Sequence, residues 1–218
     1  MLDFGLVVDY LPIMIEAAWV TLKISILSTA FGLVLGLVVA LLKISTIKVL
    51  VHFANLYLWI IRGTPMLVQL FLIYYGLPQV GIELTPMTAA VVALGINAAA
   101  YIAEIYRGGI MSISQGQMEA AESLGMGYFL RMRKIVLPQA LRVSLPSLGN
   151  QAIMMLKDSS LASLVTVSEL LMVSQRYAAS NYAFIEFCIV AAAFYLFMTT
   201  IFTFILTRVE KRISIGEV

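Results

Sequence analysis

Asp158 and Asn97 are the polar side chains best placed to hold a charged small molecule, because each falls inside a long apolar run. A polar group in hydrocarbon is costly and calls for a partner or a ligand. At about 1.5 Å per helical residue, Asn97 lies half-way along the run Met87 to Ile105, and Asp158 half-way along Leu145 to Val167. Two polar groups at one depth on different helices form the arrangement expected of a mid-membrane site. Asp158 can pair with an ammonium. Ser159, Ser160 and Asn97 can hydrogen-bond a carboxylate or a polar side chain, and Tyr101 follows Asn97 by one turn on the same face. Met66 and Gln69 follow the break Arg62-Gly63-Thr64-Pro65 and can line the same passage, although packing serves Met66 equally well. The alternative is that Lys157 and Asp158 are satisfied locally in a protein-lined cavity. Adjacent helical residues point about 100° apart, so these two pair poorly with each other. Glu104 and Arg107, three apart, read as an ordinary helix-stabilising pair.

A second constellation is polar and lies between apolar runs. Glu119 to Pro138 reads EAAESLGMGYFLRMRKIVLP, that is EAA-x3-G-x9-I-x-L-P. Glu119, Ala120 and Ala121 favour helix, and the alanines let that helix approach another surface closely. Gly125 permits a turn that a residue with a Cβ makes reluctantly. Tyr128 to Val136 sets Arg131, Arg133 and Lys134 among apolar residues, as a helix lying on a membrane surface does. Pro138 suits the first turn of the next helix.

Catalysis and metal binding find little here. His52 is the only histidine, expected on a loop, and Cys188 is the only cysteine. No Ser–His pairing, no H-E-x-x-H and no metal-ligand cluster is available, so the expectation is no catalytic residue, no metal and no cofactor. No G-x-x-x-x-G-K-[ST] occurs either, so ATP phosphates are not cradled by this chain. The net charge of +2 is too small to argue for nucleic acid.

The elements that must position these residues are membrane helices. The 218 residues are 61% hydrophobic and 12% charged, against about 25% charged in a soluble domain. Five apolar runs are visible: Ala17 to Leu42, Leu56 to Leu77, Met87 to Ile105, Leu145 to Val167 and Phe184 to Leu206. Gly32 and Gly36 give the first a small-xxx-small face for close packing. Pro65 either kinks the second or opens a short span behind an interfacial helix. Lysine and arginine alternate by loop. Residues 1–16 have none, whereas Arg107, Arg131, Arg133, Lys134 and Arg142 share the loop between the third and fourth runs, and Arg208, Lys211 and Arg212 follow the fifth. Basic loops stay in the cytoplasm, so the N-terminus is expected outside and the C-terminus inside. The fold expected is all-α: one membrane domain over residues 1–218, about five transmembrane helices, and the Glu119–Gly125 segment in the largest cytoplasmic loop. A secondary transporter with inverted repeats is disfavoured, since no internal repeat is seen and five spans do not divide evenly.

The EAA spacing resembles the loop by which bacterial ABC-importer permeases dock on a cytoplasmic ATPase. Further stretches resemble the polar amino-acid uptake branch of that family: Ile61 to Leu70 (IRGTPMLVQL), Ile73 to Pro78 (IYYGLP), Asn97 to Glu104 (NAAAYIAE), Gly116-Gln117, and Leu156 to Leu161 (LKDSSL). Gly76 to Glu83 (GLPQVGIE) leans toward cystine-type members. The resemblance covers nearly the whole chain. It implies a permease subunit of the bacterial plasma membrane that moves cystine, glutamine, glutamate or a basic amino acid. It implies a second permease subunit, identical or homologous, two ATPase subunits that hold the ATP and magnesium, and an extracytoplasmic binding protein. It also implies that Glu119, Ala120, Ala121, Glu122 and Gly125 meet the ATPase, and that Asp158 and Asn97 stand at positions related permeases use for substrate.

Overall fold

The computed structural model describes residues 3–214. Residues 1–2 and 215–218, the ends of the two tails that the charge pattern assigns to opposite sides of the membrane, lie outside the described residues. A short α1 (Gly5–Val8) leads into α2 (Leu11–Lys43), then α3 (Lys48–Gly63) and α4 (Met66–Phe71). One π-helical turn and one 3-10 turn follow, and then α5 (Pro86–Met111).

The long helices α2 and α5 are packed together along much of their length. They approach closely because the contact is built from small side chains. Ala93, Ala98, Ala99, Ala100 and Ala103 of α5 are all buried. A Cβ on Gly32 would stand 3.0 Å from Ala98 Cβ, and one on Gly36 2.7 Å from Ile102 Cγ2. The glycine pair expected to face a neighbouring helix therefore does so. With no water to squeeze out, van der Waals contact between closely set backbones is what holds membrane helices together.

The cytoplasmic-type loop forms α6 (Gln115–Ser123) and α7 (Tyr128–Arg131), which widens into a π turn before α8 (Leu137–Asp158). Both π turns have one cause. The Leu77 N–H bonds to Leu72 and the Leu137 N–H to Met132, and a proline follows each: Pro78 and Pro138. In a regular helix a proline ring collides with the carbonyl four residues back. The wider turn moves that carbonyl away. After α8 a 3-10 segment, Ser159–Val165, leads through Thr166 in the left-handed region to α9 (Leu170–Asn181) and α10 (Phe184–Ser214).

Among the described residues, three helices are each long and apolar enough to cross a membrane: α2, α5 and α10. The α3–α4 pair makes a fourth if both limbs count together, bent by 105°. Of the two readings of Pro65, the structure shows a break: α3 ends at Gly63, Thr64 and Pro65 are extended, and α4 begins at Met66. The run Leu145 to Val167 is the larger departure. Its helix carries Arg142, Asn150, Gln151 and Lys157 and stops at Asp158, so the following apolar residues belong to a different element. His52 stands on α3 rather than on a loop, and its side chain is exposed.

Candidate functional site

The expected site residues fall into two groups, which no hydrogen bond joins among the described residues. The first group gathers at the α3–α4 bend. Breaking a helix frees backbone carbonyls, and in a membrane these must find donors. Gln69, only 7% exposed, supplies them. Its Nε2 donates to Ile61 O at 2.8 Å, Thr64 O at 3.1 Å and Thr64 Oγ1 at 2.9 Å. Its Oε1 accepts from Asn97 Nδ2 at 3.0 Å. Asn97 and Gln69 thus brace the bend with each other. Tyr57 adds a bond from its hydroxyl to Ile96 O at 2.6 Å. Tyr101, one turn on, faces the same bend, with the Arg62 guanidinium 5.7 Å from its ring centroid. Met66 packs into the apolar cluster that holds Leu94, Ala98, Met155 and Ala162.

The second group lies where α8 ends. Ser159 is fully buried and donates to Leu156 O at 2.8 Å, while Ser160 donates to Lys157 O at 2.7 Å. Their hydroxyl protons are spent on carbonyls freed at the helix end. Asp158 is different: half-buried, with no hydrogen bond or ion pair within the described residues, Lys157 included. Two turns earlier Gln151 is 8% exposed and also makes no hydrogen bond. Seven residues return a helix to nearly the same face, so Gln151 and Asp158 share a side of α8. Sequence reading missed Gln151; its spacing from Asp158 was the available signal. The 3-10 segment behind Asp158 packs on α4 and α5.

The loop segment is a built device. The α6 helix closes in a Schellman turn, with Gly125 N donating to Glu122 O at 2.8 Å and Met126 N to Ala121 O at 3.1 Å. Gly125 has φ +78°, the left-handed conformation the sequence led us to expect. Arg131 reaches back from α7 to Glu122 Oε2 at 2.6 Å and keeps only 13% of its side chain exposed. It clamps α7 to α6. Ala121 is 2% exposed against its own chain. Glu119, Ala120, Glu122 and Gly125 face outward. Beside them Leu124 is 82%, Tyr128 62% and Phe129 77% exposed.

Two further charge clusters tie the helices. Glu104 bonds both Lys43 of α2 and Arg107 of its own helix, so the i,i+3 pair exists and is extended by a residue from a second helix. Glu169 is fully buried and caps α9 by accepting from Leu171 N and Met172 N. It also accepts from Tyr195 OH at 2.9 Å on α10 and from Thr21 Oγ1 at 3.4 Å on α2. An acid just ahead of an apolar helix start was its signal in the sequence.

Comparison with known proteins agrees with this architecture. Residues 32–215 match the family described as binding-protein-dependent transport system inner membrane component. The arginine transport system permease protein ArtQ of Bacillus subtilis is 38% identical over 217 residues, 99% of each chain. The glutamine transport system permease protein GlnP of Escherichia coli is 41% identical, over 98% of each. A crystal structure of an amino acid ABC transporter with histidines superposes with TM-score 0.93 at 42% identity, covering 97% of this chain and 99% of that one. The inward-facing methionine ABC transporter MetNI, at 21% identity and TM-score 0.77 over 94% of this chain and 98% of its own, shares the fold.

Proposed function

The chain belongs to the binding-protein-dependent transport system inner membrane component family, and from that membership we propose its cargo and its working parts. It is the permease subunit of an amino-acid ABC transporter, a transporter component rather than an enzyme, residing in the bacterial inner membrane. Its cargo is a polar amino acid. The arginine and glutamine relatives support that class, and cystine and glutamate remain members of it. The cargo is delivered from outside by a binding protein, and the chain works beside a second permease and an ATPase pair that holds ATP and magnesium.

The observation that carries the substrate reading is Asp158, a half-buried carboxylate with no hydrogen bond or ion pair among the described residues. A charge kept this way is expensive unless something else neutralises it in the working state. It stands where α8 gives way to a 3-10 segment, and interrupted helices are where transporters build their sites. Asp158 takes the substrate ammonium, and Gln151 on the same face takes a polar side chain. Asn97, Gln69, Tyr101 and Met66 shape the passage by holding the α3–α4 bend. Ser159 and Ser160 keep an acceptor lone pair for substrate, though their protons are used.

Glu119, Ala120, Glu122 and Gly125 form the ATPase contact, with Leu124 and Phe129 as its apolar anchors. Ala121 supports the segment from inside. The Glu122–Arg131 pair and the Schellman turn make the loop stiff enough to pass on a push.

The test is transport by the complete complex in vesicles with binding protein present. Losing one charge-assisted hydrogen bond costs about 1.5–3 kcal/mol, roughly tenfold or more in affinity. Asp158→Asn should therefore weaken transport by that factor while assembly with the ATPase survives. Wild-type rate and half-saturation in that variant would move selectivity wholly to the binding protein.

A further inference from the structure

A cleft of about 250 Å³ opens between α2 and α9, lined by Glu16, Ala17, Ser168, Val173, Arg176 and Tyr177. Glu16 and Arg176 are both exposed, and neither makes an ion pair or a side-chain hydrogen bond among the described residues. Two opposite charges thus line one cleft without joining. At roughly 30 Å³ per liquid water, the space holds about eight waters, the scale of one small amino acid and not of a peptide. The floor is apolar: Ala17 and Val173 are buried.

The cleft's place in the molecule is well defined. Lys43, at the far end of α2, pairs with Glu104, which also holds Arg107, close to where α5 leads into α6. At about 1.5 Å per residue, α2 spans about 40 Å between Glu16 and Lys43. The cleft therefore lies on the face opposite the Glu119–Gly125 segment, where a delivered solute arrives first.

We propose that this cleft is an entry subsite for a zwitterionic α-amino acid, with Arg176 on its carboxylate and Glu16 on its ammonium. The guanidinium forms two parallel bonds to a carboxylate, and the carboxylate of Glu16 accepts from the ammonium. Ser168 and Tyr177 offer hydroxyls beside them. The subsite reads only the backbone groups that all amino acids share. It thus concentrates cargo at the mouth and leaves selection to the deeper Asp158 site. The inference rests on the amino-acid reading above but uses different residues.

The test is equilibrium binding of radiolabelled L-glutamine, and separately L-arginine, to the assembled permease–ATPase complex without binding protein. In an Asp158→Asn background a saturable component should remain. Glu16→Gln or Arg176→Gln should weaken that component at least about tenfold, and glutaminamide and N-acetylglutamine should fail to displace it. The exchanged pair, Glu16→Arg with Arg176→Glu, should recover binding, because a zwitterion can turn round whereas a docking protein with fixed charges cannot. No residual component, or one indifferent to Glu16 and Arg176, overturns the proposal. Displacement of the label by phosphatidylethanolamine overturns it too, giving the cleft to a lipid headgroup. Failure of the Asp158 reading looks different: Asp158→Asn would then leave total binding unchanged.

Discussion

Asn97 donates to Gln69 at 3.0 Å, and that bond ties the middle of α5 to the bend between α3 and α4. Without it, the Gln69 amide would still bond the carbonyls of Ile61 and Thr64, and Tyr57 OH on Ile96 O would remain as a hydrogen bond from α3 to α5. The bend is thus positioned by two amides on different elements, each useful because of the other.

Removing either amide should therefore destabilise the assembled complex. An unsatisfied buried group costs about 1–3 kcal/mol, so Gln69→Ala should lower the melting temperature more than Asn97→Ala, because Gln69 serves three acceptors. The double variant should be less destabilised than the sum of the singles. Thermal melts of the four proteins test this, and strict additivity would mean the two residues act separately.

Close approach of α2 and α5 gives a second expectation. A methyl on Gly36 would meet Ile102 Cγ2 at 2.7 Å and Ala99 O at 3.0 Å. Overpacking of this kind costs about 1–3 kcal/mol. Gly36→Ala should lower the yield of folded protein, and Ile102→Ala should restore part of it by vacating the space. If Gly36→Ala melts like the wild type, the helices are not held at this distance.

Features set by neighbours in the chain were legible from the residues alone. The left-handed turn at Gly125 and the glycine face of α2 are each written in a few adjacent or periodic residues, as is a disruption at Pro65, though not whether it kinks the helix or breaks it. What was not legible depends on distant partners. That Gln69 holds the α3–α4 bend shows only once Asn97, in another helix, is seen to donate to its oxygen. That the Ser159 proton is spent on Leu156 O shows only where α8 is seen to end. Ala121 reads like its neighbour Ala120, yet one is buried and the other exposed. The run Leu145 to Val167 shows its interruption at Lys157 to Ser160 in the residues themselves, but not that α8 ends there and a 3-10 segment follows.

The orientation in the membrane follows from charge and is open to labelling. In a Cys188→Ala background, Asp3→Cys should react with an impermeant maleimide added outside. Ser114→Cys, in the loop beside α6, should react only after the membrane is permeabilised. The excess of Lys and Arg between residues 107 and 142 drives this expectation. The opposite labelling pattern would place the ATPase-facing segment on the wrong side.

The sharpest prediction concerns Gly125. Its φ of +78° lies where a residue with a Cβ is disfavoured, by roughly 1–2 kcal/mol. No atom lies within 4 Å of where that Cβ would sit, so any effect is conformational rather than a clash. Asparagine tolerates this region better than a β-branched residue. Gly125→Asn should accordingly transport nearly as well as wild type, and Gly125→Val should not. The valine variant should insert and assemble, since the turn is exposed and outside the packed helices. Its ATPase partner should still hydrolyse ATP, but with transport per ATP sharply reduced, because α6 would no longer hold its angle to α7. Vesicle uptake and phosphate release measured on one preparation give that ratio. An unchanged ratio in Gly125→Val would mean the turn does not pass the stroke, whatever else the segment touches.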